Sequence, residues 1–172
     1  MRATTFALAF ATLLALPVAG FADDISDCNS EKPDIVIKGC TQLIKDGKAN
    51  NDALAIAYFN RGNAFDDNGD HDGAIIDYTE SIKLKPDYML NYMNRGLSYL
   101  SKQDYDNALA DFTQAVKVEP DSGKAYYNQG RALEAKGDLA NALASYQKAS
   151  ELAPNNKTVQ KKIAEIKQQL GQ

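Results

Sequence analysis

The sequence predicts an all-α chain built as a solenoid of stacked helical hairpins. Three observations predict it. Three stretches that end in proline, "AIAYFNRGNAFDDNGDHDGAIIDYTESIKLKP", "MLNYMNRGLSYLSKQDYDNALADFTQAVKVEP" and "GKAYYNQGRALEAKGDLANALASYQKASELAP", align without a gap at a spacing of 34 residues. Six columns coincide in all three copies: Tyr58/Tyr92/Tyr126, Asn60/Asn94/Asn128, Gly62/Gly96/Gly130, Ala74/Ala108/Ala142, Tyr78/Phe112/Tyr146 and Pro86/Pro120/Pro154. Within each copy the apolar residues recur twice at helical spacing around a short polar break.

Each unit therefore reads as two helices and a turn. A glycine in the first helix and an alanine in the second are small enough for the two backbones to approach, and the aromatics fill the space beside that contact. Proline closes the unit because it cannot continue a helix. One hairpin leaves an apolar face that only the next can cover, so the units stack.

The stretch "DDNGDHDG" (66–73) has the composition of a calcium loop. The repeat assigns it otherwise. Its counterparts "LSKQDYDN" and "EAKGDLAN" retain one acidic column, Asp70/Asp104/Asp138, at the start of the second helix. A carboxylate there accepts hydrogen bonds from unpaired backbone N–H groups. The calcium template also needs a bidentate Glu where Thr79 stands.

The flanks read as caps. "NKTVQKKIAEIKQQL" is amphipathic, with Val159, Ile163, Ile166 and Leu170 on one side. "PDIVIKGCTQLI" reads as a second helix with Val36, Cys40 and Ile44 on its packing face, and residues 25–31 as a worn first helix that carries Cys28. The resulting division is 1–22 leader, 23–54 partial hairpin, units 55–88, 89–122 and 123–156, and a capping helix at 157–172.

The leader is read from "MRATTFALAFATLLALPVAGFADD": one early charge, an apolar run from Phe6 to Leu16, then Pro17 and small residues. Gly20 and Ala22 occupy the −3 and −1 places of a secretory cleavage site, so the mature chain is expected to begin at Asp23. That implies a periplasmic or secreted protein with no membrane insertion after cleavage. Export favours an oxidising compartment, in which Cys28 and Cys40 are expected to pair, with two buried free thiols as the alternative. The two cysteines and the single histidine, His71, are too few for a zinc site.

These columns and the 34-residue period resemble the tetratricopeptide repeat, over residues 55–156. The resemblance places Phe65, Tyr99 and Leu133 at the aromatic position 11, and Ser81, Ala115 and Ala149 at position 27. Arg61, Arg95 and Gln129 depart from the leucine common at position 7. The resemblance also implies a concave surface built by the first helix of each unit. That surface would carry Ile56, Phe59, Asn60, Asn63, Asp66 and Asp67, then Leu90, Met93, Asn94, Leu97, Leu100 and Ser101, then Lys124, Tyr127, Asn128, Arg131, Glu134 and Ala135.

The ladder Asn60–Asn94–Asn128 both donates to and accepts from an extended backbone, and Phe59, Met93 and Tyr127 run beside it as an apolar strip. The same asparagines are equally suited to bridging neighbouring hairpins. Some family members clamp a C-terminal carboxylate, and of that pattern Asn63, Asn94 and Lys124 are present. Phe59 and Asn128 stand where two further cations belong, with Arg131 one turn away.

No catalytic constellation, phosphate loop or cofactor motif is legible, and the net charge of −4 argues against a nucleic-acid groove. The expected function is a non-enzymatic scaffold that binds a peptide or partner helix of another envelope protein. The alternatives are a self-associating structural module, that is, a homo-oligomer, or a small-ligand or calcium-binding protein.

Overall fold

The protein is described by a computed structural model over residues 19–172, with side chains from Asp23 onward. Among the described residues there are nine helices and no strand. They are α1 (Ala19–Cys28), α2 (Pro33–Asp46), α3 (Asn51–Asp67), α4 (His71–Leu84), α5 (Met89–Ser101), α6 (Tyr105–Val118), α7 (Gly123–Ala135), α8 (Leu139–Leu152) and α9 (Lys157–Gln169). Each packs on the next in chain order, so α3–α4, α5–α6 and α7–α8 form three hairpins between an N-terminal hairpin and a last single helix. None of the described helices is long and apolar enough to cross a membrane.

The contact inside each hairpin is as close as backbone geometry allows. A Cβ added at Gly62 would stand 2.8 Å from the Tyr78 ring, and one at Gly96 or Gly130 2.7 Å from Phe112 or Tyr146. Ala74, Ala108 and Ala142 are fully buried opposite, and the three rings are at most 1% exposed. The turns repeat as well. Asp70, Asp104 and Asp138 each accept a hydrogen bond from the backbone N–H three residues on, at 3.0, 3.3 and 3.3 Å. Gly69 and Gly137 take the left-handed conformation that lets the chain reverse, and Gln103 takes it in the middle hairpin.

The N-terminal hairpin differs from its expected form. The first helix begins at Ala19 and ends at Cys28, earlier than residues 25–31, so it runs through the expected cleavage site. The apolar run Phe6–Leu16 of the expected leader lies outside the described residues. On α2 the buried residues are Val36, Gly39, Cys40 and Leu43, while Ile44 lies at the edge. Cys28 and Cys40 form a disulfide, with Cα atoms 4.5 Å apart. By constraining the unfolded chain such a bridge contributes about 2–4 kcal/mol.

At the other end Val159 and Ile166 of α9 are buried against α8, with Ile163 and Leu170 packed beside them. The outer face of α9 carries Lys161 and Lys167, exposed.

One buried residue breaks the repeat. Asn91 in α5 is fully buried, yet neither side-chain polar atom has a hydrogen-bond partner among the described residues. Its counterparts are Ala57 and Ala125, also fully buried. An unsatisfied buried amide costs about 1–3 kcal/mol. Replacing Asn91→Ala should therefore raise the thermal midpoint by roughly 2–4 °C, measured by circular dichroism; a lower midpoint would mean that the amide is satisfied.

Candidate functional site

The first helices α3, α5 and α7 present one face on the concave side of the stack. Its floor is polar and continuous. A cavity of about 300 Å³ between the N-terminal hairpin and α3 is lined by Asn29, Glu31, Asn60, Asn63 and Asp67, among others. Asn63 and Asp67 are shared with a second cavity, of about 420 Å³, that continues to Asn94 and Leu97. A third, more apolar notch of about 280 Å³ lies beside Ile56, Phe59, Lys85 and Tyr88.

The asparagine ladder is bonded across hairpins. Asn60 Nδ2 donates to the Cys28 carbonyl at 3.1 Å and to Asn29 Oδ1 at 3.2 Å. Asn94 Nδ2 donates to Asn63 Oδ1 at 2.8 Å, an atom that also accepts from the Tyr78 hydroxyl. Asn128 is only 8% exposed and accepts from Arg131 Nη1 at 3.0 Å. The bridging role is thus present for Asn60 and Asn94. Their Oδ1 atoms accept no hydrogen bond from the described residues.

The apolar strip is not continuous. Phe59 is half-buried and packs edge-on to Tyr88, with ring centres 5.4 Å apart. Tyr127 is half-buried against Tyr146. Met93, expected on the strip, is 6% exposed and belongs to the core around Phe112, because α5 turns that side chain inward against α6. The open apolar surface of this unit is instead Leu90, 40% exposed, with Leu97 and Leu100 half-buried. Lys124 is exposed, and neither it nor Arg131 pairs with a carboxylate among the described residues.

Two buried networks escaped the sequence reading. At position 7, Arg61 grips Asp77 through Nε and Nη2 at 2.7 and 2.8 Å, and its Nη1 donates to Thr41 of the preceding hairpin. Arg95 repeats this with Asp111 and Thr79. In the third unit the pair becomes neutral: Gln129 donates to Thr113 and accepts from Ser145. The hydrogen bonds that Arg61 donates to Asp77 raise the arginine's pKa despite burial. Burial raises the Asp111 pKa, and Arg95 offsets part of that rise.

The second network reaches the groove. The Tyr78 hydroxyl shares its one proton between Asn63 Oδ1 at 2.8 Å and Asp66 Oδ2 at 3.2 Å, and Ser98 of the next hairpin donates to the latter atom at 2.7 Å. The Tyr146 hydroxyl donates to Glu134 at 2.6 Å, and Glu134 accepts from Lys162 of α9 at 2.9 Å. Asp66 also bonds His71, and Asp72 pairs with Lys102. Asp66, Asp70 and Asp72 are thus engaged with separate partners, and no group of three or more metal-binding side chains occurs among the described residues.

These features belong to a known class. Sequence models of the tetratricopeptide repeat match residues 55–88 and 93–157. The second such domain of human RPAP3, solved in complex with an HSP70 peptide, is 31% identical with a TM-score of 0.66, over 69% of this chain and 98% of that one. The chain belongs to the tetratricopeptide repeat family.

The Arabidopsis OM64 tetratricopeptide domain is similar at 28% identity and a TM-score of 0.66, over 69% of this chain and 98% of that one. MamA from Desulfovibrio magneticus RS-1 shares the fold over 88% of this chain and 84% of its own, with a TM-score of 0.77 at 19% identity. A search of curated protein sequences finds no match.

The buried phenols give the fold a pH limit. Burial, reinforced by Asp66, pushes the Tyr78 pKa upward, and burial with Glu134 does the same for Tyr146. A folded-state pKa above the unfolded value of about 10 gives stability that is fully present below that pH and lost as pH rises past it. Denaturant midpoints should fall between about pH 9 and 11, less steeply in a Tyr78→Phe, Tyr146→Phe variant. Equal slopes would show that these two phenols do not control alkaline unfolding.

Proposed function

We propose that the protein is a non-enzymatic interaction scaffold of the cell envelope that holds an extended segment of a partner protein on its concave face. The observation that carries this reading is the continuous polar floor, in which two cavities share Asn63 and Asp67 and span from the N-terminal hairpin to α5. Open acceptors on Asn60 and Asn94 suit backbone N–H groups. Leu90 and Leu97 beside them suit apolar side chains. Solved relatives support the class of ligand: tetratricopeptide domains of RPAP3 are described with the HSP70 peptide SGPTIEEVD and the HSP90 peptide SRMEEVD.

The details of that ligand do not transfer. Phe59 and Asn128 replace two cations of the carboxylate clamp, Phe59 is held against Tyr88, and Asn128 is buried. The periplasmic setting is supported by the apolar leader with small residues before Asp23 and by the Cys28–Cys40 bridge.

The test is capture from an envelope extract with the tagged chain, beside a folded Leu97→Arg variant. The expected result is a partner retained by the first and lost by the second, and a bait recovered from the periplasmic fraction with Asp23 as its first residue. A partner retained by both would move the site off the concave face, and a bait that begins at Met1 would remove the periplasm from the reading.

A further inference from the structure

The first helix is fastened differently from those that follow it. Of its described side chains, Asp23–Cys28, only Cys28 is buried. It is the one residue of α1 in the apolar cluster with Val36, Cys40, Leu43, Ala57 and Ala64. Ile25 is 40% exposed. A helix of ten residues is too short to hold its shape in water without such burial. The Cys28–Cys40 bridge therefore supplies the hold that apolar packing supplies in the later hairpins. Gly39 makes room for it: a Cβ there would stand 2.6 Å from the Cys28 nitrogen.

The end of α1 and the turn after it belong to the concave face. The Cys28 carbonyl and Asn29 Oδ1 both accept from Asn60. Cys28, Asn29, Ser30 and Glu31 line the first cavity together with residues of α2 and α3. The helices beyond are tied independently. α2 stays on α3 through Leu43 and through the hydrogen bond from Arg61 to Thr41, and each repeat has its own ring against its own glycine.

We propose that Cys28–Cys40 is a redox latch. Oxidised, it holds α1 as one wall of the groove. Reduced, it releases α1 and the turn after it, opens the first cavity and uncovers the apolar side of Val36, Cys40 and Ala64, while the three repeats stay folded. The reductant is a dithiol. One of its thiolates attacks a sulfur of the bridge, the other cysteine leaves as a thiolate and takes a proton, and the second thiol of the reductant then displaces the first cysteine. The bridge gains two electrons and two protons, and the dithiol becomes a disulfide. Cys28 and Cys40 are 2% and 0% exposed, so the attack waits on fraying of α1 but not on unfolding of the repeats. The latch stands apart from the groove reading above; its effect on a partner rests on that reading.

The test is hydrogen exchange, read by mass spectrometry on the full chain in three forms: oxidised, reduced with dithiothreitol, and as a Cys28→Ala, Cys40→Ala variant. Amides of residues 24–32 should exchange about tenfold or more faster without the bridge, and those of α4 to α8 should not change. Unchanged protection of 24–32 would show that packing alone holds α1. Faster exchange throughout α4 to α8 would show that the bridge serves the whole fold. Either result overturns the latch. Partner capture then separates the two readings. A partner lost from both the Leu97→Arg and the double-alanine variants supports the effect on binding. A partner lost from Leu97→Arg but kept by the double-alanine variant removes that effect and leaves the groove standing. A partner kept by Leu97→Arg overturns the groove reading, whatever the exchange result.

Discussion

Everything in this molecule depends on a ring lying flat against a glycine. At Gly62, Gly96 and Gly130 there is no room for a Cβ, because the ring of Tyr78, Phe112 or Tyr146 already occupies it. That contact sets the separation of the two helices in each hairpin. It also fixes which residues of α3, α5 and α7 turn toward the concave side. Where the ring is tyrosine its hydroxyl reaches that side, and an acid at position 12 accepts it: Asp66 for Tyr78, Glu134 for Tyr146. Where the ring is Phe112, position 12 is Leu100. The chemistry of the core thus decides the polarity of the groove.

Stacking of the hairpins uses a different device. Apolar faces alone would tolerate small slides between units. Arg61 and Arg95 tie the second helix of their own hairpin to a threonine of the one before, through bidentate bonds with Asp77 and Asp111. A shift of one helical position breaks both halves of such a bond. Burying these charges is costly, so each pair adds less stability than its Coulomb attraction alone would give, while its fork geometry still fixes the register. The first link spans 20 residues, from Thr41 to Arg61, against 16 from Thr79 to Arg95, because α3 begins one turn further ahead of its arginine than α5 does. The disulfide then closes a hairpin that has no ring to pack on a glycine.

Much of this was legible in the sequence, because a repeat shows each constraint three times. The period, the glycine–aromatic contact and the caps at Asp70, Asp104 and Asp138 are local and recur in register. The arginine column was visible too, but as a departure from leucine. Only the fixed spacing to Asp77 and Asp111 signalled a pair, and a single sequence does not say whether two residues on different helices meet. Met93 was misplaced because its slim thioether lies wholly within the core around Phe112, whereas Phe59 and Tyr127 in the same column meet Tyr78 and Tyr146 and stay half-exposed. Leu43 takes the buried place expected of Ile44 because, seven residues on from Val36, it lies within the stripe of Val36, Gly39 and Cys40, whereas Ile44 falls at its edge.

The claim on which the functional account rests is that partners meet the concave face. The direct measurement is photo-crosslinking from an unnatural residue placed at Leu97, on the groove floor, or at Ile76, 63% exposed on the second-helix side. Both would be expressed in the source cell. The account expects a discrete adduct from position 97 and none from position 76. Adducts from position 76 alone would contradict it and assign recognition to the opposite surface.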